Sequence, residues 1–267
     1  MLTQEQIRAA AMRLDRAEKT RTQIRQLSVE HPGMTIAEAY AIQRAWVDHK
    51  VAEGRTIRGH KIGLTSKAMQ SALGIGEPDS GILFDDMVFA DGGEVPAGRF
   101  IATRVEAELA FVMKSRLSGP NCTIFDVLNA TDFVVPALEI LDTRIERLDR
   151  ETKAARKIVD TIADNAANAG IVVGGRPFRP LDADLRWIGV LCYRNGVLEE
   201  TGLAAGVLNH PANAVAWLAN KLGSLGLALE PSQIVLSGSF IRPIEARKGD
   251  TIQADYGAYG MVSCHFA

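Results

Sequence analysis

Glu106 and Glu108 stand two residues apart in Arg104-Val105-Glu106-Ala107-Glu108-Leu109-Ala110-Phe111-Val112-Met113, a segment that alternates almost strictly. Val105, Ala107, Leu109, Phe111 and Met113 fall on one face, and Glu106, Glu108, Ala110 and Val112 on the other. In a β-strand, residues two apart point the same way, about 6.5 Å apart along the axis. The spacing therefore predicts two carboxylates side by side. Adjacent ionised carboxylates repel. A shared proton, exposure to water or a bound cation would relieve that, and a hard dication such as Mg2+ or Mn2+ suits oxygen ligands. The plainer alternative is the wet face of an amphipathic strand.

Glu139 lies inside Phe133-Val134-Val135-Pro136-Ala137-Leu138-Glu139-Ile140-Leu141. A charge in so apolar a run needs a partner or a metal. Arg144 or Arg104 could be that partner. With Glu106 and Glu108, Glu139 would complete a three-carboxylate site that leaves coordination positions for water or substrate.

Arg58-Gly59-His60-Lys61-Ile62-Gly63-Leu64-Thr65-Ser66 supplies complementary groups. A lysine between glycines can approach a ligand closely, binding a carboxylate or stabilising an enolate. His60 is a candidate acid or base near neutral pH. Both could instead be a surface basic pair. Asp79, in Glu77-Pro78-Asp79-Ser80-Gly81, is a turn-former or an acidic site residue. The segment from Asp164 to Gly170 reads as a capped loop or short helix.

These segments need elements to hold them. Ile7, Ala10, Leu14, Ala17, Ile24 and Leu27 form one helical stripe that ends at His31-Pro32-Gly33. Thr35 and Glu38 have capping-box spacing and start a second helix that stops near Gly54. Beyond Gly54, short β-prone runs alternate with Gly, Pro and Asp. Pro136 suggests an edge strand or a bend. Asn195-Gly196 signals a hairpin. Asn209 is read as the N-cap of a helix with Pro211 in its first turn. The reading is α+β: a helical segment over 1–54 packed on a largely β body over 55–267.

The chain has 267 residues, 47% hydrophobic and 23% charged, with a formal net charge of -2. No basic block points to nucleic acid. No apolar run is long enough to span a bilayer, and the charged first twenty residues do not read as a signal peptide. Cys122, Cys192 and Cys264 lack zinc or disulfide spacing, which fits a reducing cytoplasm. A small molecule, a like subunit or both are the expected partners.

GHKIGLTS, EPDSG, RVEAELAF, VPALEI, DNAANAG and the late GSFIRP and KGDTIQADYG together resemble the hydratase/decarboxylase branch of the fumarylacetoacetate hydrolase superfamily, over nearly the whole chain. The resemblance implies a twisted β-roll body with the metal in its cleft. It implies a lyase using Mg2+, replaceable by Mn2+, bound by Glu106, Glu108 and Glu139. Lys61 matches the family's glycine-flanked lysine and Asp79 its acidic turn residue. Lys61, Asp79 and His60 are the candidate catalytic residues, and Leu64, Ser237 and Arg242 the candidate substrate contacts. The implied reaction is hydration of a seven-carbon unsaturated 2-oxo diacid in aromatic catabolism. Arg242 is the candidate for the distal carboxylate, because the glycine-containing turn before it lies in a family motif; pairing with a surface acid or a neighbouring subunit is its alternative. Decarboxylation of a six-carbon 2-oxo-enedioate and hydration of a five-carbon dienoate are the alternatives. The resemblance also implies a homo-oligomer built from dimers, up to a decamer. A non-catalytic partner subunit is a reading from a different class, and the intact carboxylate set argues against it.

Overall fold

The computed structural model describes residues 1–67, 70–71 and 75–267. Helix α1 (Gln4–Thr20) starts at a Thr3–Gln6 capping box and stops where Arg21 turns left-handed at φ 53°. The predicted stripe therefore breaks earlier than expected. Ile24 bridges to Ile145, and Leu27 opens the short helix α2 (Leu27–Glu30). Thr35 and Glu38 form the expected capping box of α3 (Ile36–Ala52).

Among the described residues, the further α-helices are α4 (Ile124–Ala130), α5 (Ile158–Ala163) and α6 (Pro211–Ser224). The N-cap of α6 is His210, whose Nδ1 accepts from the Ala212 N–H, and not Asn209. Asn209 is left-handed at φ 67° and belongs to the preceding turn.

The strands are β1 (Ile57–Gly63), β2 (Asp79–Phe84), β3 (Val88–Ala90), β4 (Gly93–Val95), β5 (Arg104–Met113), β6 (Thr131–Leu141) and β7 (Asn168–Val173). They continue with β8 (Gly189–Arg194), β9 (Val197–Leu203), β10 (Ile234–Leu236), β11 (Ile244–Glu245), β12 (Thr251–Asp255) and β13 (Met261–Phe266). One sheet runs β2-β1-β10-β5-β6-β7-β3, with β11 added to β5. The other runs β4-β13-β12-β8-β9. The β8–β9 turn has Asn195 and Gly196 both at positive φ, as the Asn-Gly signal requires.

The main core fills the space between the sheets. Val105, Ala107, Leu109, Phe111 and Met113 of β5 enter it, together with Cys192, Ile252, Val262 and Phe266 of the second sheet and Val215 and Leu218 of α6. The opposite face of β5 carries Glu106 and Glu108, so the period-2 reading of this strand describes the structure. Pro136 is not at an edge. It sits in central β6, opposite Leu109, just beyond the last β6–β7 pair, Ala137 with Val173, where a missing N–H breaks no ladder bond. The N-terminal helices share a second core with Phe84, Met87, Ile145, Val159 and Ile162.

Candidate metal and substrate site

Register assembles the site. Glu106 faces Glu139 directly across β5–β6, and Glu108 lies one pleat further along. Each of the three offers an oxygen within 4.8 Å of the others'. Glu108 and Glu139 are fully buried. The Gly238 N–H donates to Glu108 Oε2 at 2.7 Å, and Asn168 Nδ2 donates to Glu139 Oε1 at 2.8 Å. Tyr256 ties the strands together behind the site, its hydroxyl donating to the carbonyls of Glu108 and Ala137.

Lys61 enters from β1, its Nζ 3.4 Å from Glu139 Oε1. Asp79 enters from β2, where it pairs with Gly63. The two side chains converge over Gly63: a Cβ there would meet Asp79 Oδ1 at 2.2 Å and Lys61 Nζ at 3.1 Å. Glycine at position 63 is therefore a requirement of the site.

Four carboxyl groups thus surround one ammonium. Burial, then repulsion from Glu139, pushes Glu106 up to about 8. Burial and the same repulsion raise Glu108 well above the carboxylate range. Burial raises Glu139 against the pull of Lys61 and Asn168, and burial raises Asp79 against Lys61. Burial opposes the charge on Lys61, but Glu139, Asp79, Glu106 and Glu108 outweigh it and hold the ammonium protonated.

A divalent cation fits this donor set on its own terms. Glu108 Oε1 and Glu139 Oε2 are buried without a hydrogen-bond partner, as are Asp79 Oδ1, Asn168 Oδ1 and Ser237 Oγ. Unpartnered buried oxygens are costly, and two of these five belong to the three glutamates. A dication would satisfy them and cancel the excess negative charge. A second acidic group, Asp15, His49 and Glu53, is different, because Lys19 and Lys50 already sit 2.8 and 3.0 Å from Asp15.

The other expected residues fall in three places. Leu64 follows Gly63 with a left-handed backbone, φ 56°, its carbonyl accepting from Gln70. Ser237 is fully buried at the end of β10, next to the Gly238 N–H that holds Glu108. His60 and Arg242 are not gathered in. Adjacent strand residues point to opposite faces, so His60 shares its face with core-packed Ile62 and hydrogen-bonds Gln233. Its expected catalytic role is corrected on that ground. Arg242 is 85% exposed and pairs with Glu200 at 2.7 Å. That surface ion pair replaces the expected contact with a distal carboxylate.

The sequence reading assigns no site role to Asn168, Tyr256 or Asp164, and offers Arg144 only as an alternative partner of Glu139; in the structure Arg144 pairs with Asp164 behind Asn168. Asp164 accepts from the Arg144 Nε and backbone N–H, while the Arg144 guanidinium also donates to the Asn168 carbonyl. The intervening Asn165, Ala166 and Ala167 are all left-handed, at φ 52°, 51° and 59°. The segment is therefore neither a capped loop nor an ordinary short helix. Asn165 acts as a surrogate strand, its side chain accepting from the Ile82 N–H and donating to the Ile82 carbonyl. The repeated asparagines of this segment were the available signal, because asparagine tolerates left-handed backbone.

A scan against protein-family models finds no match. Among curated proteins, the chain is 62% identical to 2-oxo-hept-4-ene-1,7-dioate hydratase of Escherichia coli over 256 residues, 96% of each chain. Its fold superimposes on 4-oxalocrotonate decarboxylase from Pseudomonas putida G7, complexed with magnesium and adipate, with a TM-score of 0.94 at 35% identity, covering 100% of this chain and 99% of that one. Fumarylpyruvate hydrolase from Pseudomonas aeruginosa, in complex with Mn2+ and pyruvate, shares the fold at 14% identity and a TM-score of 0.60, over 79% of this chain and 89% of that one. The chain belongs to the family that unites 2-oxo-hept-4-ene-1,7-dioate hydratase with 4-oxalocrotonate decarboxylase.

Proposed function

We propose that this chain is a divalent-metal-dependent hydro-lyase that converts 2-oxohept-4-ene-1,7-dioate to 4-hydroxy-2-oxoheptane-1,7-dioate in the catabolism of aromatic compounds. The observation that carries the reading is the three-glutamate pocket faced by buried Lys61, in a chain 62% identical to a hydratase of that substrate. Glu106, Glu108 and Glu139 would hold the cation, for which we assign Mg2+ with Mn2+ as a substitute. When bound, such an ion supplies a Lewis acid for the 2-oxo acid end of the substrate.

The rest of the chemistry falls to the chain's own groups. The reaction shifts the 4,5 double bond to the 3,4 position, losing a proton at C3 and gaining one at C5. Water then adds at C4 and a proton returns to C3. Lys61, held charged by its carboxylate neighbours, stabilises negative charge as it develops at the oxo end. Asp79, buried beside Lys61 with a free acceptor oxygen, moves the proton at C3. Asn168 and the Gly238 N–H fix the orientations of Glu139 and Glu108.

Decarboxylation of a six-carbon 2-oxo-enedioate is the second reading, favoured by the fold's near-coincidence with a decarboxylase. An ultraviolet assay of the Mg2+-loaded protein on the seven-carbon diacid, the six-carbon diacid and the five-carbon dienoate, with product identification, separates the readings. Preferred hydration of the seven-carbon diacid supports the proposal, and carbon dioxide release from the six-carbon diacid overturns it. We further propose a homo-oligomer built from dimers, to be measured by light scattering.

A further inference from the structure

With Arg242 paired at the surface, the distal carboxylate of a seven-carbon diacid needs another partner. A buried carboxylate without a cation or several donors is costly. The fold collects three arginines at one end of the site. Arg104 precedes Glu106 by two residues on β5, on the same face. That separation is about 6.5 Å along a strand. Five C–C bonds of about 1.5 Å in an extended zigzag reach a similar length, so a chain anchored by its 1-carboxylate and 2-oxo oxygen at the glutamates and running along β5 would bring its far end level with Arg104.

The other two come from the excursion between β6 and α5. Leu148 bridges Ala155, the Asp149 N–H donates to the Ala154 carbonyl, and the Arg156 N–H donates to the Arg147 carbonyl. Arg147 and Arg156 are therefore opposed, and their side chains leave the ribbon on the same side. Arg147 Nη2 reaches back to the Ala102 carbonyl at 2.8 Å, two residues before Arg104. Arg156 Nη1 donates to Thr143 Oγ1 at 2.6 Å.

Like charges placed so closely destabilise one another unless an anion joins them. Among the described residues, neither Arg147 nor Arg156 has a carboxylate within ion-pair distance, and the only ion pair of Arg104 is a 3.8 Å approach to Glu245. Arg104 Nε is buried without a hydrogen-bond partner. The nearby Asp142 is already committed, accepting from the N–H groups of Ile101 and Ala102. Burial, then Arg104 and Arg156, pulls the Arg147 guanidinium down to about 10. Arg147 also borders an open cavity of about 430 Å³ shared with Thr103 and Glu245, so its side chain is reachable from solvent.

We propose that Arg147, flanked by Arg104 and Arg156, is the subsite for the substrate's distal carboxylate and sets the preference for a diacid over a monoacid. The assignment rests on the diacid reading of the function. Its test compares Arg147→Leu, Arg147→Lys and Arg104→Leu with the parent in the Mg2+-loaded protein, on the seven-carbon diacid and on 2-hydroxypenta-2,4-dienoate. Arg147→Leu should lower kcat/KM for the diacid by about 30-fold or more and for the dienoate by less than about threefold. Arg147→Lys should recover part of the diacid activity, since it restores the charge without the planar fork. In parallel, calorimetry should show pimelate binding tighter than heptanoate to the parent, with the difference lost in the variant. Equal losses on both substrates, or no loss, overturn the proposal. If Arg147→Leu fails to fold, Arg104→Leu decides the matter by the same comparison. A parent inactive on the diacid refutes the functional reading, and the pimelate–heptanoate difference then still decides whether the subsite exists.

Discussion

Asn168 donates to the same oxygen of Glu139, Oε1, that Lys61 approaches, so one carboxylate oxygen is held from two sides while its Oε2 stays unpartnered. This arrangement fixes which lone pairs of Glu139 face a cation. Outer partners of this kind tune metal affinity by about 10–100-fold. Asn168→Ala should therefore weaken Mg2+ or Mn2+ binding by that range in calorimetry, with the fold intact by circular dichroism. An unchanged dissociation constant would show that Glu139 needs no such support.

Removing the metal should abolish turnover. EDTA treatment followed by Mg2+ or Mn2+ addition tests this, and full activity in metal-free protein would sink the three-glutamate assignment. Glu108→Gln should lose metal affinity yet leave the metal-free protein as stable or more so, because it replaces a buried carboxyl group whose ionisation burial and Glu139 oppose with a neutral amide of the same shape. A lower Tm of the metal-free variant would contradict that account.

Lys61→Ala should lower kcat by about 10²–10³-fold, the usual consequence of losing a preorganised electrostatic donor. If kcat/KM changes by less than about threefold, Lys61 only balances the charge of Glu139 and takes no part in the reaction.

The sequence made the carboxylates legible for a simple reason. Alternation along β5 is strict, so the face of Glu106 and Glu108 follows from counting, and Glu139 stands out as a charge in an apolar run. The same counting rule separates His60 from Lys61, since neighbours in a strand cannot both face one cleft. Arg147 and Arg156 were not legible, because their opposition depends on a register set by an irregular hairpin. Asn168 was hidden by the left-handed turn from Asn165 to Ala167, a backbone that alanine rarely adopts and that packing here enforces. The early end of α1 had no local breaker in the sequence, for Arg21 is an ordinary helix former and its left-handed conformation satisfies the last carbonyls.

The separation of His60 from the site makes a pH prediction. Burial lowers the His60 imidazole from its ordinary 6.5 to about 4, so the folded protein keeps it neutral well below the pH at which the unfolded chain protonates it. Above pH 6.5 the ring is neutral in both states and contributes nothing to the pH dependence. As pH falls from 6.5 to 4, the unfolded state takes up a proton that the folded state refuses, so stability falls; below 4 both states are protonated and the loss levels off. The full loss is about 3 kcal/mol at about 1.4 kcal/mol per unit. His60→Gln removes this proton uptake while leaving every other titrating group in place. Urea midpoints measured between pH 7.5 and 4 should therefore fall more steeply for the parent than for His60→Gln, the difference growing below pH 6.5 and levelling off near pH 4. Parallel curves would mean that His60 takes up its proton in the folded protein over the same pH range as in the unfolded chain, and would restore it as a candidate for proton transfer.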